Sequence, residues 1–433
     1  MRKFIKFVLV FFVVILVLLL ALVQWIPRTP YEQTEHFKEW RNMDLDFEQI
    51  DSTYEVGWAK ENITPDFSVP LAGFGKRKGR HFESVHDSIY VRAFAIRSGK
   101  RIIHLVSADL LFIPPKVVEK LVAKGVDLRN VHLAATHSHS SIGGWESSIT
   151  GMLFGGKYDQ RVVDFLADKF YFAIQQSTLN LNPGEITYGE VIDDEDVRFR
   201  MNSVDGVRDR EIRGLSFIKD TGERAHLVTY SAHNTTLGDR NSQLSRDYSG
   251  VLVDSLLPDF GAYMAGAVAG MGPVEVGDTE FDEAKHQGAG VYKHFQKRTE
   301  KKVGAGLVSE WIKIPLPKPV ARLSKHWGLR PWVFRWAFGD YDAYVKVTRL
   351  GSTLLLGMPA DFSGEIMVEL DEYATAKGLD LIITSFNGGY IGYITHDKRY
   401  DSGHYETVTM SWYGYQSGGY FTQISKDIID RLK

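Results

Sequence analysis

The strongest pattern in the chain is at its start. Arg2, Lys3 and Lys6 precede an almost unbroken apolar run over 7–26, in which Gln24 is the one polar residue. About 20 apolar residues span a bilayer as an α-helix. A cleaved leader more often has a shorter apolar core and a small-x-small site, and neither is evident. A retained transmembrane anchor over 1–27 is therefore expected, with a cleaved signal as the alternative. The extreme N-terminal position and basic flank argue against a buried core helix. That flank stays in the cytosol, which sends 28–433 to the periplasmic or extracellular side.

Residues 28–53 are mostly polar and read as a linker with short helical stretches. From Tyr54 onward the periodicity switches back and forth. Segments 89–96 and 101–107 have the β-branched and apolar content of strands. Segment 114–124 reads as a helix with Pro in its first turn, and 131–135 as a short apolar strand. Segment 159–176 places Val162, Phe165, Leu166 and Phe170 at helical spacing. Strands at 225–231, 262–269, 342–357 and 379–386 alternate with helices at 248–257 and 363–377, and an amphipathic run closes the chain over 421–432. This alternation predicts an α/β fold, a mixed β-sheet core with flanking helices, as one body over 54–433.

Composition narrows the chemistry. A length of 433 residues fits one large domain or two tightly joined ones. The net charge of -3 lacks the basic excess of a general nucleic-acid binder. There are no cysteines, so disulfides, thiol catalysis and cysteine-held zinc are excluded. Any metal must be held by His, Asp, Glu, Tyr or backbone oxygen.

The sharpest local feature is Ala-Thr-His-Ser-His-Ser at 135–140, directly after the apolar strand 131–135. Loops at strand ends are where ligands collect in α/β proteins. If strand geometry persists, His137 and His139 point the same way. By itself the pair fits exposed turn histidines as well as a metal site. His233, in Tyr-Ser-Ala-His-Asn-Thr-Thr at 230–236, also sits just past an apolar strand. It reads as a structural histidine unless it shares a site with the first pair. The sequons at Asn62 and Asn234 are weak, and Asn234 adjoins the candidate site.

Several motifs now fall in one order. Val-Gly-Trp-Ala-Lys-Glu-Asn-Ile-Thr-Pro at 56–65, Val-Pro-Leu-Ala-Gly-Phe-Gly at 69–75, Val-Arg-Ala-Phe at 91–94, Val-Ser-Ala-Asp-Leu at 106–110 and the two histidine motifs follow one another. In that order the chain resembles the neutral/alkaline non-lysosomal ceramidase family over most of 54–425. The resemblance implies a zinc site. His137 and His233 match its two zinc histidines, and Asp361, in Pro-Ala-Asp-Phe, matches an acidic ligand that is Glu in the family. Tyr393, in Gly-Tyr-Ile-Thr, matches a tyrosine beside the zinc. Tyr405, in His-Tyr-Glu-Thr, matches one that stabilises the transition state. His139 matches a histidine near the substrate, and Arg198 or Arg200 a site arginine, of which Arg198 is taken as the candidate. Apart from the resemblance, Asp361 would read as a helix N-cap, and the two tyrosines as core or rim aromatics.

Two imidazoles and a carboxylate form a known hydrolase ligand set for zinc. Zinc lowers the pKa of a bound water to about 7, and the hydroxide attacks an amide or ester carbonyl. The resemblance thus implies a zinc amidohydrolase that cleaves the N-acyl bond of ceramide or a related N-acyl lipid. The alternatives are another amide or ester substrate, or an inactive lipid- or sugar-binding protein of the same fold. Two departures bear on this. The family's serine-containing turn is Ala-Val-Ala-Gly-Met-Gly-Pro-Val here, at 267–274, with Ala269 or Gly270 at the serine position. A counterpart to the family's additional C-terminal β-domain is not expected. Finally, 322–338 interleaves three tryptophans and two phenylalanines with basic residues. It reads either as an interfacial lid for an amphiphilic substrate or as an ordinary amphipathic core helix.

Overall fold

The computed structural model describes residues 2–201, 203–339 and 342–433. Its helices are α1 (Arg2–Leu22), α2 (Glu35–Arg41), α3 (Pro115–Ala123), α4 (Ile149–Gly155), α5 (Gln160–Leu179), α6 (Tyr248–Ser255), α7 (Glu280–Phe295), α8 (Pro331–Phe338), α9 (Gly364–Thr375) and α10 (Ser417–Leu432). The strands form a nine-stranded and a four-stranded sheet, with small two-stranded pairs besides.

Alternation along the strands produces four layers. On Tyr90–Ser98, Val91 and Ala93 face a core shared with α3, α5, α6 and α7. Phe94 and Ile96 face the opposite way, into a core that also contains Leu355 and Ile382 of the small sheet. On Thr353–Gly357, Leu354 and Leu356 face a third core with α9 and α10. The order is helices, large sheet, small sheet, helices, as a period of two on doubly buried strands requires. This is the mixed α/β architecture expected.

Three crossovers position the site. Arg101–Ala108 runs through α3 to the parallel strand Val131–Ala135. Arg224–Tyr230 runs through α6 to Phe260–Ala265. In the small sheet, Thr353–Gly357 runs through α9 to Asp380–Thr384. Loops leaving the carboxyl ends of these strands carry His137, His139, His233, Asp361, Tyr390 and Tyr393.

Element boundaries differ from expectation in informative places. Segment 262–269 is strand only as far as Ala265; the Gly266 amide makes the last bond to the neighbouring strand, at the carbonyl of Tyr230, and the chain then turns away. Segment 342–357 is two strands, Tyr344–Leu350 and Thr353–Gly357, reversing at Gly351 with φ 52°. Strands Asn182–Ile192 and Glu211–Lys219, and helix α7, complete the body. The segment 28–53 is packed against the body instead of hanging free as a spacer. Trp40 is 2% exposed and donates to Asp427 at 2.9 Å. Helix α1 contains a 20-residue stretch, Lys3–Leu22, long and apolar enough to cross a membrane.

Candidate metal centre and its cavity

His137 adopts a left-handed backbone conformation, φ 62°, which costs a non-glycine residue free energy and is found where a site demands it. The bend brings its Nδ1 to the carbonyl of Leu111 at 2.7 Å and stacks its ring on Phe386 at 4.1 Å. His233 Nδ1 lies 2.9 Å from the carbonyl of Val268. A carbonyl only accepts, so both Nδ1 atoms carry the proton and both Nε2 atoms are left as lone pairs. Those two Nε2 atoms are 3.1 Å apart, and His139 Nε2 is 3.1 Å from that of His137. Gly73 permits this crowding, since a Cβ there would lie 2.7 Å from the Cα of His139.

Asp361 completes the group. Its Oδ1 is 3.4 Å from His137 Nε2 and 3.3 Å from His233 Nε2, is buried, and has no hydrogen-bond partner. Oδ2 accepts from the Tyr390 hydroxyl at 2.8 Å. Asp361 is not a helix cap; Ser363 caps α9. Burial holds His137 down to about 3, against the pull of Asp361, and lowers His139 and His233 far below their ordinary value. Neutral imidazoles aiming lone pairs at one another beside an unpartnered carboxylate oxygen repel unless a cation lies among them. The donor set therefore fits a divalent metal held by nitrogen and oxygen.

Around this floor stand three further groups. The Tyr393 hydroxyl is 3.3 Å from His233 Nε2 and 3.4 Å from Arg200 Nη2. Arg200 also reaches His233 Nε2 at 3.1 Å and pairs with Glu406 at 2.6 Å. Burial works against the charge of Arg200, but Glu406, Tyr393 and Tyr405 together more than offset it and the pKa is raised. Burial likewise raises Tyr393 and Tyr405, keeping both phenols protonated. Arg198 takes no part. Its guanidinium bonds the carbonyl of Pro273 and pairs with Glu275 at the surface. The short strand Arg198–Phe199 ends between the two arginines, and the chain turns Arg200 inward.

The position of the missing serine is equally well defined. Ala269 and Gly270 present no hydroxyl, and the Gly270 amide donates to Glu406 at 2.8 Å. Gly270 has φ 79°, a conformation that favours glycine. This turn is a backbone support for Glu406 and Arg200 and holds no side-chain nucleophile.

Above the histidines opens a cavity of about 410 Å³, walled by Phe74, Phe112, Phe154, Phe334, Phe338 and Trp412 among others. Buried His137 and Tyr393 and half-buried His139 line it, and Tyr405, 46% exposed, lines it beside Tyr393. An apolar chamber ending in a few convergent polar groups is the usual form of a small-molecule site. The segment 322–338 therefore contributes its inner phenylalanines to the wall, through α8.

A family model for neutral/alkaline non-lysosomal ceramidase, N-terminal, matches residues 54–280. The chain belongs to this family. It is 29% identical over 223 residues to the neutral ceramidase of Pseudomonas aeruginosa, a stretch that is 46% of this chain and 33% of that protein. The match thus spans about a third of the curated relative. The crystal structure of neutral ceramidase from Pseudomonas aeruginosa shares the fold, with a TM-score of 0.79 at 19% identity over 88% of this chain and 75% of that one. A ceramidase complexed with C2 gives 0.80 with the same identity and coverage. The ceramidase family match ends before Asp361, Tyr393 and Tyr405, so these rest on the geometry above.

Within this ceramidase fold, sequence reasoning passed over two site residues, Tyr390 and Glu406, and of the two arginines it offered it took Arg198 in place of the inward Arg200. A signal existed for both of those passed over. Tyr390 follows Gly388 and Gly389 three residues before Tyr393, and Glu406 is the acidic neighbour of Tyr405. Asn234 is no surface sequon: its buried amide donates to the carbonyls of Thr136 and Arg246 and to Ser249 Oγ. A second histidine–carboxylate group, His294 with Asp193 and Asp196, lies outside the cavity. There His294 Nδ1 stands 3.1 Å from Asp193 and ties α7 to the loop after Asn182–Ile192.

Proposed function

We propose that the chain is a zinc-dependent amidohydrolase that cleaves the N-acyl bond of ceramide or a related N-acyl lipid. The observation that carries this reading is the convergence of the Nε2 atoms of buried His137 and His233 and of half-buried His139 with an unpartnered carboxylate oxygen beside an aromatic cavity.

His137, His233 and Asp361 would hold the zinc, with Tyr393 beside it. Bound zinc supplies a water of lowered pKa and polarises the substrate carbonyl. The protein's own groups do the rest. The aromatic walls take the acyl chain and exclude bulk water, which strengthens every polar interaction at the base. Tyr405 and Tyr393, kept protonated, donate to the oxygen on which charge develops. His139 is neutral and close, so its imidazole accepts a proton as water adds to the carbonyl carbon and returns one to the departing amine as the C–N bond breaks. Arg200, neutralised by Glu406, orients Tyr393. The absence of a hydroxyl at 269–270 favours direct attack by water over an acyl-enzyme.

The test is to measure zinc per chain and fatty-acid release from ceramide, using the full chain in detergent, for wild type and His137→Ala. One zinc per chain with release lost in the variant is expected. Zinc without turnover would move the reading to another amide or ester. No zinc above background in wild type would leave a binding protein.

A further inference from the structure

Helix α1, long and apolar enough to cross a membrane, is not joined to the body by a tether. Leu22 ends α1, and Val23–Trp25 at once pairs antiparallel with Trp327–Leu329. Ile26 is 2% exposed, and its amide donates to the carbonyl of His326. A helix end leaves its last carbonyls without partners. Here the body supplies them. The Arg330 amide donates to Leu22 O at 2.9 Å, and Arg330 Nε donates to Leu20 O and Val23 O at 2.9 and 3.1 Å. The Trp332 indole donates to Ala21 O at 3.2 Å. The cation at Arg330 also suits the negative end of the helix dipole.

The next residue begins α8, which has two faces. Val333 and Phe334 point inward, and Phe334 and Phe338 wall the cavity. Trp332 and Trp336, one turn apart, point outward and are 54% and 69% exposed. Helix α4 packs beside it through Thr150 Oγ1 on the carbonyl of Ala337 at 2.9 Å. On α4, Phe154 lines the cavity while 37% exposed, and Ile149, Met152 and Leu153 are exposed and do not line it. Trp25 and Trp327 add two more exposed indoles at the root of α1. A contiguous apolar patch of this kind marks an interaction surface. Tryptophans beside the end of a spanning helix belong at the level of lipid headgroups.

We propose that this α4–α8 face is seated in the surface of the bilayer that α1 spans, so that the cavity draws an N-acyl lipid from that leaflet. The occupant is a lipid surface, because the face is continuous with α1 through hydrogen bonds and a strand pair. A soluble protein partner has no such link. The inference rests on the amidohydrolase reading for what enters the cavity, but not for where the face sits.

The chain has no cysteine, so single labels can be placed directly. Leu153→Cys, Trp336→Cys and, at the far end of α5, Leu179→Cys would each carry a nitroxide on the full chain in phosphatidylcholine vesicles. Labels at 153 and 336 are expected to relax faster with oxygen than with a water-soluble nickel chelate, and the label at 179 the reverse. Nickel access at 153 and 336 equal to that at 179 would overturn the proposal. Protection from both reagents would mean a protein covers the face, and would overturn it too. These readings need no turnover, so they stand apart from failure of the amidohydrolase assignment. With turnover, Trp332→Glu combined with Trp336→Glu should lower release from vesicle-borne ceramide at least tenfold and leave release from a water-soluble short-chain ceramide within twofold. Equal losses on both substrates would count against delivery from the leaflet.

Discussion

The floor and the rim of the cavity are built on opposite principles. On the floor each of these groups is held from behind by another part of the fold: His137 and His233 by backbone carbonyls, Asp361 Oδ2 by Tyr390, Arg200 by Glu406. The rim is two short helices, α4 and α8, with phenylalanines lining the cavity and tryptophan and aliphatic side chains left open to the outside. The floor sets geometry at the cost of backbone strain and desolvation. The rim sets only shape and hydrophobicity. Damage to the floor should therefore appear as lost chemistry, and damage to the rim as lost substrate capture.

The largest expected effect is on the floor. His233→Ala should drop amide hydrolysis to background and abolish stoichiometric metal, measured as fatty-acid release and metal per folded chain. Next comes Arg200→Met. It strands the fully buried Glu406 carboxylate, and breaking such a pair costs about 3–5 kcal/mol, read as the denaturation midpoint. Arg200→Met with Glu406→Gln should recover much of that stability without recovering activity. Tyr405→Phe should keep both the metal and the fold and lower kcat on the order of 100-fold, the usual loss for one oxyanion donor. Phe338→Ala on the rim should raise KM for long-acyl substrates several-fold and leave kcat nearly unchanged. If Phe338→Ala lowered kcat as Tyr405→Phe does, the division between floor and rim would fail.

The smallest effect lies on neither. Asp397, near the start of α10, is raised to about 6, chiefly by burial. The folded protein then holds a proton there that the unfolded chain releases near 3.8. Its contribution is complete below about pH 4 and is lost as pH rises through 6. Asp397→Asn should flatten that slope in a series of thermal midpoints and leave the activity profile alone.

Much of the floor was legible in the chain because its residues follow apolar strands directly. His137 lies two residues after Val131–Ala135, and His233 three after Arg224–Tyr230. The choice between Arg198 and Arg200 was not legible. It depends on where a two-residue strand stops, and on Glu275 and Glu406, distant in sequence, taking one arginine each. The rim was half legible. The aromatic content of 322–338 was plain, but only the fold shows that Phe334 and Phe338 turn inward while Trp332 and Trp336 do not. Helix α4 carried no signal of its own, being short and stabilised by packing on α8. The 28–53 segment misled because its few apolar residues, Phe37, Trp40 and Phe47 among them, are spread through polar sequence yet converge on one core.

The three imidazoles follow strands of the large sheet, and the carboxylate follows Thr353–Gly357 of the small one, in a two-residue pairing with Tyr393–Ile394. The centre therefore straddles the seam between two separately hydrogen-bonded sheets, with more than 200 residues of chain between His137 and Asp361. In kinetic terms this is a contact of very high order, and contacts of that kind slow folding. Each sheet can close its own hydrogen bonds before the donor group exists. A probe of the histidine–carboxylate cluster thus reports on docking of the two sheets, and any opening of that seam would scatter the donors before either sheet has lost a strand.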